Sequence, residues 1–161
     1  MMQRLNLRKL TIIYLAFMLF GCASGNIYHL YEGSLRTPSE VAAIKPWLEK
    51  DYASFRILNV WPASIDGKPT EPYSGGLPSY LVLPGEHRIV IGFNWLDLMQ
   101  KTKVAGEDPV EMSFVAKAGH IYTTKASMPI KMSDDTIRIG FWIEDGDTGE
   151  IVAGSRLLTN E

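Results

Sequence analysis

The sequence predicts an all-β fold, a single β-sandwich of about seven strands with one short N-terminal helix, and three observations carry that reading. Short runs rich in β-branched, Leu and aromatic residues recur along the chain, among them residues 55–60, 80–83 and 87–93, and such residues suit a pleated, half-buried surface. Several runs alternate: Ile89, Ile91 and Phe93 fall on one face and Arg88, Val90 and Gly92 on the other, the period of a strand with one buried face. Helical periodicity is nearly absent, and corners of Pro and Gly separate the runs, as packed sheets require.

The first element is not part of that fold. Residues 1–9 carry Arg4, Arg8 and Lys9 without an acid, and residues 10–20 are apolar apart from Thr11. A run of 11 residues is too short to cross a hydrocarbon core, which needs about 20 helical residues, so residues 1–21 read as a signal peptide. Leu19, Phe20, Gly21 and Cys22 follow one another and resemble the bacterial lipobox. That resemblance implies a lipoprotein in which Cys22 bears a diacylglyceryl thioether and, after cleavage, an N-acyl chain such as palmitate. No other cofactor is expected. Several acyl chains anchor stably where one is marginal, since each buried CH₂ contributes about 0.8 kcal/mol. Ala23 stands where Asp commonly signals inner-membrane retention, so the resemblance implies the outer membrane, with the domain facing the periplasm.

Residues 22–161, about 140 in number, suit one domain with its own core. Without Arg4, Arg8 and Lys9 the 16 basic residues fall to 13 against 18 acidic ones, a net charge of −5 with His neutral. That balance, with no basic face, argues against nucleic acid as a partner. Cys22 is the only cysteine, which leaves the domain no disulfide, thiolate metal site or thiol nucleophile.

Residues 22–35 read as a lipid-anchored tether leading into an edge segment at residues 28–31, and residues 36–161 as the sandwich domain. Thr37, Pro38, Ser39 and Glu40 match a capping box with Pro at the first helical position, and Val41, Ala42 and Ile44 offer a short apolar face before Pro46; this predicts one or two helical turns. Pro84, Gly85 and Glu86 predict a hairpin between the second and third runs. Residues 94–109 break the alternation and read as a long connection. Residues 110–116, 121–127, 136–143 and 150–153 read as further strands, with turns at Ala118-Gly119 and at residues 145–149. The expected core includes Ile57, Leu81, Leu83, Ile89, Ile91, Met112, Phe114, Ile121, Ile139 and Phe141.

Ile65-Asp66-Gly67-Lys68, followed by Leu81-Val82-Leu83-Pro84-Gly85-Glu86-His87-Arg88-Ile89-Val90-Ile91, resembles the PEGA-type pattern, in which a DGK-like turn precedes a strand, a Pro-Gly corner and a Val- or Ile-rich strand. That resemblance implies an immunoglobulin/transthyretin-like β-sandwich without catalysis. The stretch from Phe114 to Tyr122 and the Thr148-Gly149-Glu150-Ile151-Val152 ending are similar to small envelope lipoproteins. Transthyretin-like folds include a purine-pathway hydrolase, whose C-terminal Tyr-Arg-Gly-Ser is not found in residues 156–161.

Candidate site residues follow from chemistry. His29, His87 and His120 are the imidazoles of the chain; His87 and His120 each follow a Gly-containing corner at a strand start and are weak candidates for zinc or copper. Their alternative role is to cap a strand start or simply to stand exposed. Glu144, Asp145, Gly146, Asp147, Thr148, Gly149 and Glu150 offer hard oxygen ligands, yet Gly149 and Glu150 stand where an EF-hand loop needs an oxygen ligand and a Gly; a hairpin turn is the alternative. Trp142, Trp95, Tyr80 and Tyr73 are the candidate binding face, with Trp142 assigned opposite to Ile139, Phe141 and Ile143. There is no Gly-x-Ser-x-Gly elbow, His-Glu-x-x-His or phosphate-cradling loop, so no catalytic residue is assigned. Two function classes follow. The first is a non-catalytic binding or scaffold module that holds a protein or cell-wall partner near the membrane. The alternative is a metal-dependent or hydrolytic enzyme built on His87, His120 and the acidic loop from Asp145 to Glu150.

Overall fold

Alternating burial sorts the apolar runs into two sheets in the computed structural model, which describes residues 26–71, 77–99, 102–105, 110–131 and 137–156. The strands, in chain order, are β1 (Ile27–His29), β2 (Ala42–Lys45), β3 (Trp47–Asp51), β4 (Arg56–Ile65), β5 (Lys68–Pro69), β6 (Ser79–Val82), β7 (Gly85–Asp97), β8 (Thr102–Ala105), β9 (Val110–Ala116), β10 (Ile121–Ala126), β11 (Ile130–Lys131), β12 (Ile137–Arg138), β13 (Phe141–Asp145) and β14 (Ile151–Gly154). The first sheet runs β1-β6-β2-β10-β13-β14; the second runs β3-β4-β7-β8, with β5 on β4 and β9 on β7; β11 and β12 form a small ribbon. The β1/β6 and β2/β10 pairs are parallel, and the other pairs in the two sheets are antiparallel. Among the described residues no helix is long and apolar enough to cross a membrane.

The core lies between the sheets. Ile44, Tyr80, Val82, Tyr122 and Ile143 from the first sheet face Leu58, Val60, Ile65, Ile89, Ile91, Trp95 and Phe114 from the second, all buried. Aromatic pairs bridge the layers at two levels, Phe93 to Phe141 with ring centroids 4.9 Å apart and Phe114 to Tyr122 at 4.7 Å. Such pairs contribute about 0.5–1.5 kcal/mol beyond their buried area. The chain passes from β2 to β3 through Pro46 alone, so one extended stretch belongs to both sheets. At that corner the buried Thr124 hydroxyl lies 3.2 Å from the Lys45 carbonyl and 3.4 Å from the Val60 carbonyl, one acceptor from each side.

Several expectations are met in place. The edge segment appears as β1. Asp66 and Gly67 take φ of 51° and 76°, and Ser64↔Pro69 and Ile65↔Lys68 pair around them; two successive positive φ values are the signature of a type I′ hairpin, which Asp-Gly favours.

Others are corrected. The N-terminal helix reduces to a single 3-10 turn, Pro38–Glu40, in which the Glu40 carboxylate accepts the Thr37 amide at 2.8 Å and hydroxyl at 2.7 Å. Val41 is already extended, and the next residues form β2, paired on both sides with β6 and β10; tertiary pairing overrides the local helix signal. Pro84-Gly85 is a corner between sheets, not a hairpin, because β6 pairs with β1 and β2 while β7 pairs with β4, β8 and β9. The expected connection at residues 94–109 contains the end of β7 and the returning β8. The run at residues 136–143 is divided between β12 and β13.

The core list changes by face. Ile89, Ile91 and Phe114 are buried, and Met112, Ile139 and Phe141 pack against the core while partly buried. Ile57, Leu81, Leu83 and Ile121 are displaced by Leu58, Tyr80, Val82 and Tyr122. A one-residue shift exchanges the faces of a strand; Leu81 and Leu83 stand in a run apolar on both faces, whereas Asn59 and Lys125 share the faces of Ile57 and Ile121 and mark them as the outer ones.

Candidate functional site

His87 begins its strand's inward face and is buried between two acceptors. Its Nδ1 lies 2.6 Å from Asp66 Oδ2 and its Nε2 lies 2.7 Å from the Leu83 carbonyl. Asp66 is aimed there by the type I′ hairpin and also accepts the Arg88 amide at 2.9 Å. Burial pushes the Asp66 carboxyl up, but the Arg88 amide and the His87 ring outweigh it and hold it below the ordinary carboxylate range. Both imidazole nitrogens are engaged, so His87 has no lone pair directed at an added ligand. A shallow recess of about 360 Å³ opens beside this pair, lined by Ser64, Asp66, Gly67, Arg88, Val90 and Glu111, with Arg88 and Glu111 ion-paired across it.

His120 makes the equivalent bond on the other sheet. Its Nδ1 lies 2.8 Å from Asp145 Oδ2 and 3.8 Å from Asp147 Oδ2. The buried Asp145 also accepts the amides of Asp147 and Thr148 at 3.0 and 3.3 Å, and Asp147 accepts the Ile121 amide at 3.1 Å. Burial pushes Asp145 up, yet the imidazole and the two amides prevail and keep its carboxyl low. The loop at residues 145–150 is therefore a hairpin turn clasped to the start of β10. The Gly146 amide, donating to the Ile121 carbonyl at 2.7 Å, completes the clasp.

The two histidines do not share a site. His87, Phe114, Tyr122 and His120 form a row of rings with successive centroid separations of 6.3, 4.7 and 6.2 Å, so two aromatic rings stand between the imidazoles. What does converge is His120, Asp145 and Asp147, whose ligand atoms lie within 4.8 Å of one another. One imidazole nitrogen and two carboxylates are a donor set for zinc, although each donor already holds a hydrogen bond of the clasp. His29 lies apart on β1, with its Nδ1 3.0 Å from the Tyr31 hydroxyl.

The candidate binding face is mostly structural. Tyr80 is buried, stacks on Tyr28 at 5.4 Å and donates its hydroxyl to the Glu71 carbonyl at 3.0 Å. Trp95 is in the core, with its indole N–H unpartnered among the described residues. Tyr73 and Cys22 lie outside the described residues. Trp142 does stand on the outer face, beside Lys125 in the β10/β13 register, but it is covered. The Arg156 guanidinium sits 5.2 Å from its ring centre, and its indole N–H donates to Glu144 at 3.3 Å. Lys125, at 2.5 Å, does most to hold the Glu144 carboxyl low, burial opposes it, and the Trp142 and Arg156 hydrogen bonds add to the lowering. That network occupies the ring face a ligand would need.

Sequence reasoning missed the partners: Asp66 for His87, and Arg156 with Glu144 for Trp142. It also missed a group of exposed apolar side chains at residues 52, 55, 98 and 99; the signal was there in Tyr52, Leu98 and Met99 flanking turn acids, where apolar residues have no fold to support. No protein-family model matches the chain, and neither do any curated protein and any solved structure.

Proposed function

We propose that the chain is a lipoprotein anchored through Cys22 in the outer membrane, facing the periplasm, whose β domain is a non-catalytic binding or scaffold module for a protein or cell-wall partner. The observation that carries the reading is the order of residues at the start: three cations, an apolar run of lipobox type, then Gly21-Cys22 with Ala23. The proximity of the fold adds support, because β1 begins at Ile27, five residues beyond Cys22. The use of His87 and His120 as turn clasps, and of Tyr80, Trp95 and Trp142 in packing, is what a scaffold needs from such side chains. We further propose an immunoglobulin/transthyretin-like, PEGA-related lineage for the sandwich, on the Asp66-Gly67 hairpin and the Pro84-Gly85 corner. Labelled palmitate and membrane fractionation test the anchor: label should enter the native chain and leave it in Cys22→Ala, and a Cys22→Ala chain that still sediments with outer membrane sinks the proposal. Crosslinking in intact cells then identifies the partner.

One observation favours a second reading. The convergence of His120, Asp145 and Asp147 suits a metal-dependent enzyme, for which zinc would be retained stoichiometrically through purification and lost, together with a hydrolytic activity, in His120→Ala. Purified protein free of zinc that does not take it up on titration excludes that reading.

A further inference from the structure

Two connections lie side by side at one end of the second sheet, the β3–β4 turn at residues 52–55 and the end of β7, and the Leu98 amide donates to the Phe55 carbonyl at 3.0 Å to hold them together. Tyr52, Phe55, Leu98 and Met99 project from this tip with exposures of 78%, 54%, 50% and 71%. Phe55 does so with φ at +54°, a conformation uncommon for a bulky side chain and persistent only where surrounding structure enforces it. The acids of the tip are engaged in hydrogen bonds within it instead. Asp51 accepts the amides of Ala53 and Ser54 at 3.0 and 3.2 Å together with the Ser54 hydroxyl, and the buried Asp97 accepts Arg56 Nε at 3.1 Å and the Met99 amide at 3.0 Å. An amphipathic aromatic and three apolar side chains are therefore exposed together, with the Asp51 and Asp97 carboxylates held in hydrogen bonds.

The position of the tip says what it meets. Ile44 pairs with Tyr80 and Ile27 with Ser79, so Asn26 emerges level with Pro46, where the chain leaves the first sheet for β3. Three neighbouring strands put those two points about 10 Å apart. The five residues of β3 then lead about 17 Å onward to the tip. Cys22 precedes Asn26 by four residues, which reach at most about 14 Å. The exit toward the anchor and the start of β3 thus lie at the same end of the first sheet, and these chain lengths bring anchor and tip within reach of one surface. Four apolar side chains are few against the roughly 800 Å² per partner of a stable protein interface; an interfacial membrane contact needs apolar groups to enter only about 5–10 Å.

We infer that Tyr52, Phe55, Leu98 and Met99 dip into the phospholipid bilayer that holds the Cys22 anchor, giving the domain a second membrane contact and a fixed orientation. This rests on the anchored reading above. The chain lends itself to a clean test because Cys22 is its only cysteine and a thioether blocks that sulfur. Full-length lipidated Met99→Cys and Glu150→Cys proteins, the latter at the opposite end of the first sheet, are labelled with an environment-sensitive fluorophore. They are then reconstituted in vesicles of phosphatidylethanolamine and phosphatidylglycerol with brominated acyl chains. Quenching at position 99 should exceed that at position 150 several-fold, and adding Tyr52→Ser and Phe55→Ser should reduce it. In a preparation whose mass includes the acyl chains, equal quenching at the two positions, or shielding of position 99 by a second copy in detergent as well as in vesicles, overturns the inference alone. A mass without acyl chains overturns the anchor and this inference together.

Discussion

Asp145→Asn keeps the size and shape of a fully buried side chain while removing its charge. The native carboxylate accepts the His120 ring at 2.8 Å and the amides of Asp147 and Thr148 at 3.0 and 3.3 Å. Asn keeps one oxygen for the amides but presents N–H groups to the imidazole, so a charge-assisted bond becomes at best a neutral one and the amide bonds weaken. Hydrogen bonds to charged groups contribute about 1.5–3 kcal/mol against about 1 for neutral ones, which puts the loss near 2 kcal/mol at pH 7. The sign of the pH dependence follows from the lowered carboxyl. A group whose folded value lies below its unfolded one stabilises fully above the unfolded value, about 3.9 for Asp, and loses that contribution as pH falls through the folded value. The gap between native and variant should therefore be widest above about pH 5 and narrow below about pH 4. Urea unfolding followed by Trp fluorescence at a series of pH values measures it. A gap under about 0.5 kcal/mol at pH 7, or one that stays constant down to pH 3, would refute the clasp as an energetic feature.

Two further outcomes are expected from unfolding midpoints. Ile44→Ala and Ile143→Ala, at fully buried sites, should each lose about 2–5 kcal/mol, whereas Ile121→Ala, at a site 37% exposed, should lose under about 1 kcal/mol; equal losses would return Ile121 to the core. Gly154→Ala should lose clearly more than Gly149→Ala although both have φ of 74°, because a Cβ at 154 would clash with the Phe141 carbonyl oxygen while one at 149 meets nothing. The left-handed backbone alone accounts for about 1–2 kcal/mol at either position, and the excess at 154 measures the close approach of β14 to β13.

Polarity marked the outer face of several strands, and the core list followed it in 87–91 but not at Ile57 and Ile121, whose faces carry Asn59 and Lys125. In 87–91 the charged Arg88 marks the outside, and Ile89 and Ile91 are inside as expected. In 80–83 and 141–143 every position is apolar or aromatic, so alternation carries no information about direction; Trp142 and Ile143 are both buried, one under Arg156 and one in the core. Tyr122 lies inside on the face shared with Thr124 and Ala126, and its hydroxyl accepts the Lys117 amide at 3.0 Å, a partner only the folded turn supplies. His87 and Asp66 were each legible as strand start and turn residue, but their meeting depends on the β4/β7 register, which shifts between Pro62 and Ser64. The helix signal at Thr37 and Glu40 was locally sound. It yielded because Ala43 pairs with Leu81 and Ile121, contacts too distant in sequence for periodicity to express.

The lone Pro46 between β2 and β3 leaves the two layers no slack. Peeling one layer from the other would require pulling β2 from between β6 and β10, or β3 from β4, so the amides of both layers should exchange with solvent in one cooperative event rather than two. The same joint sets an order on the nascent chain. Ala43 has an incomplete strand pairing until Ile121 has been synthesised, and such distant closures are slow. The layers thus lock late and together.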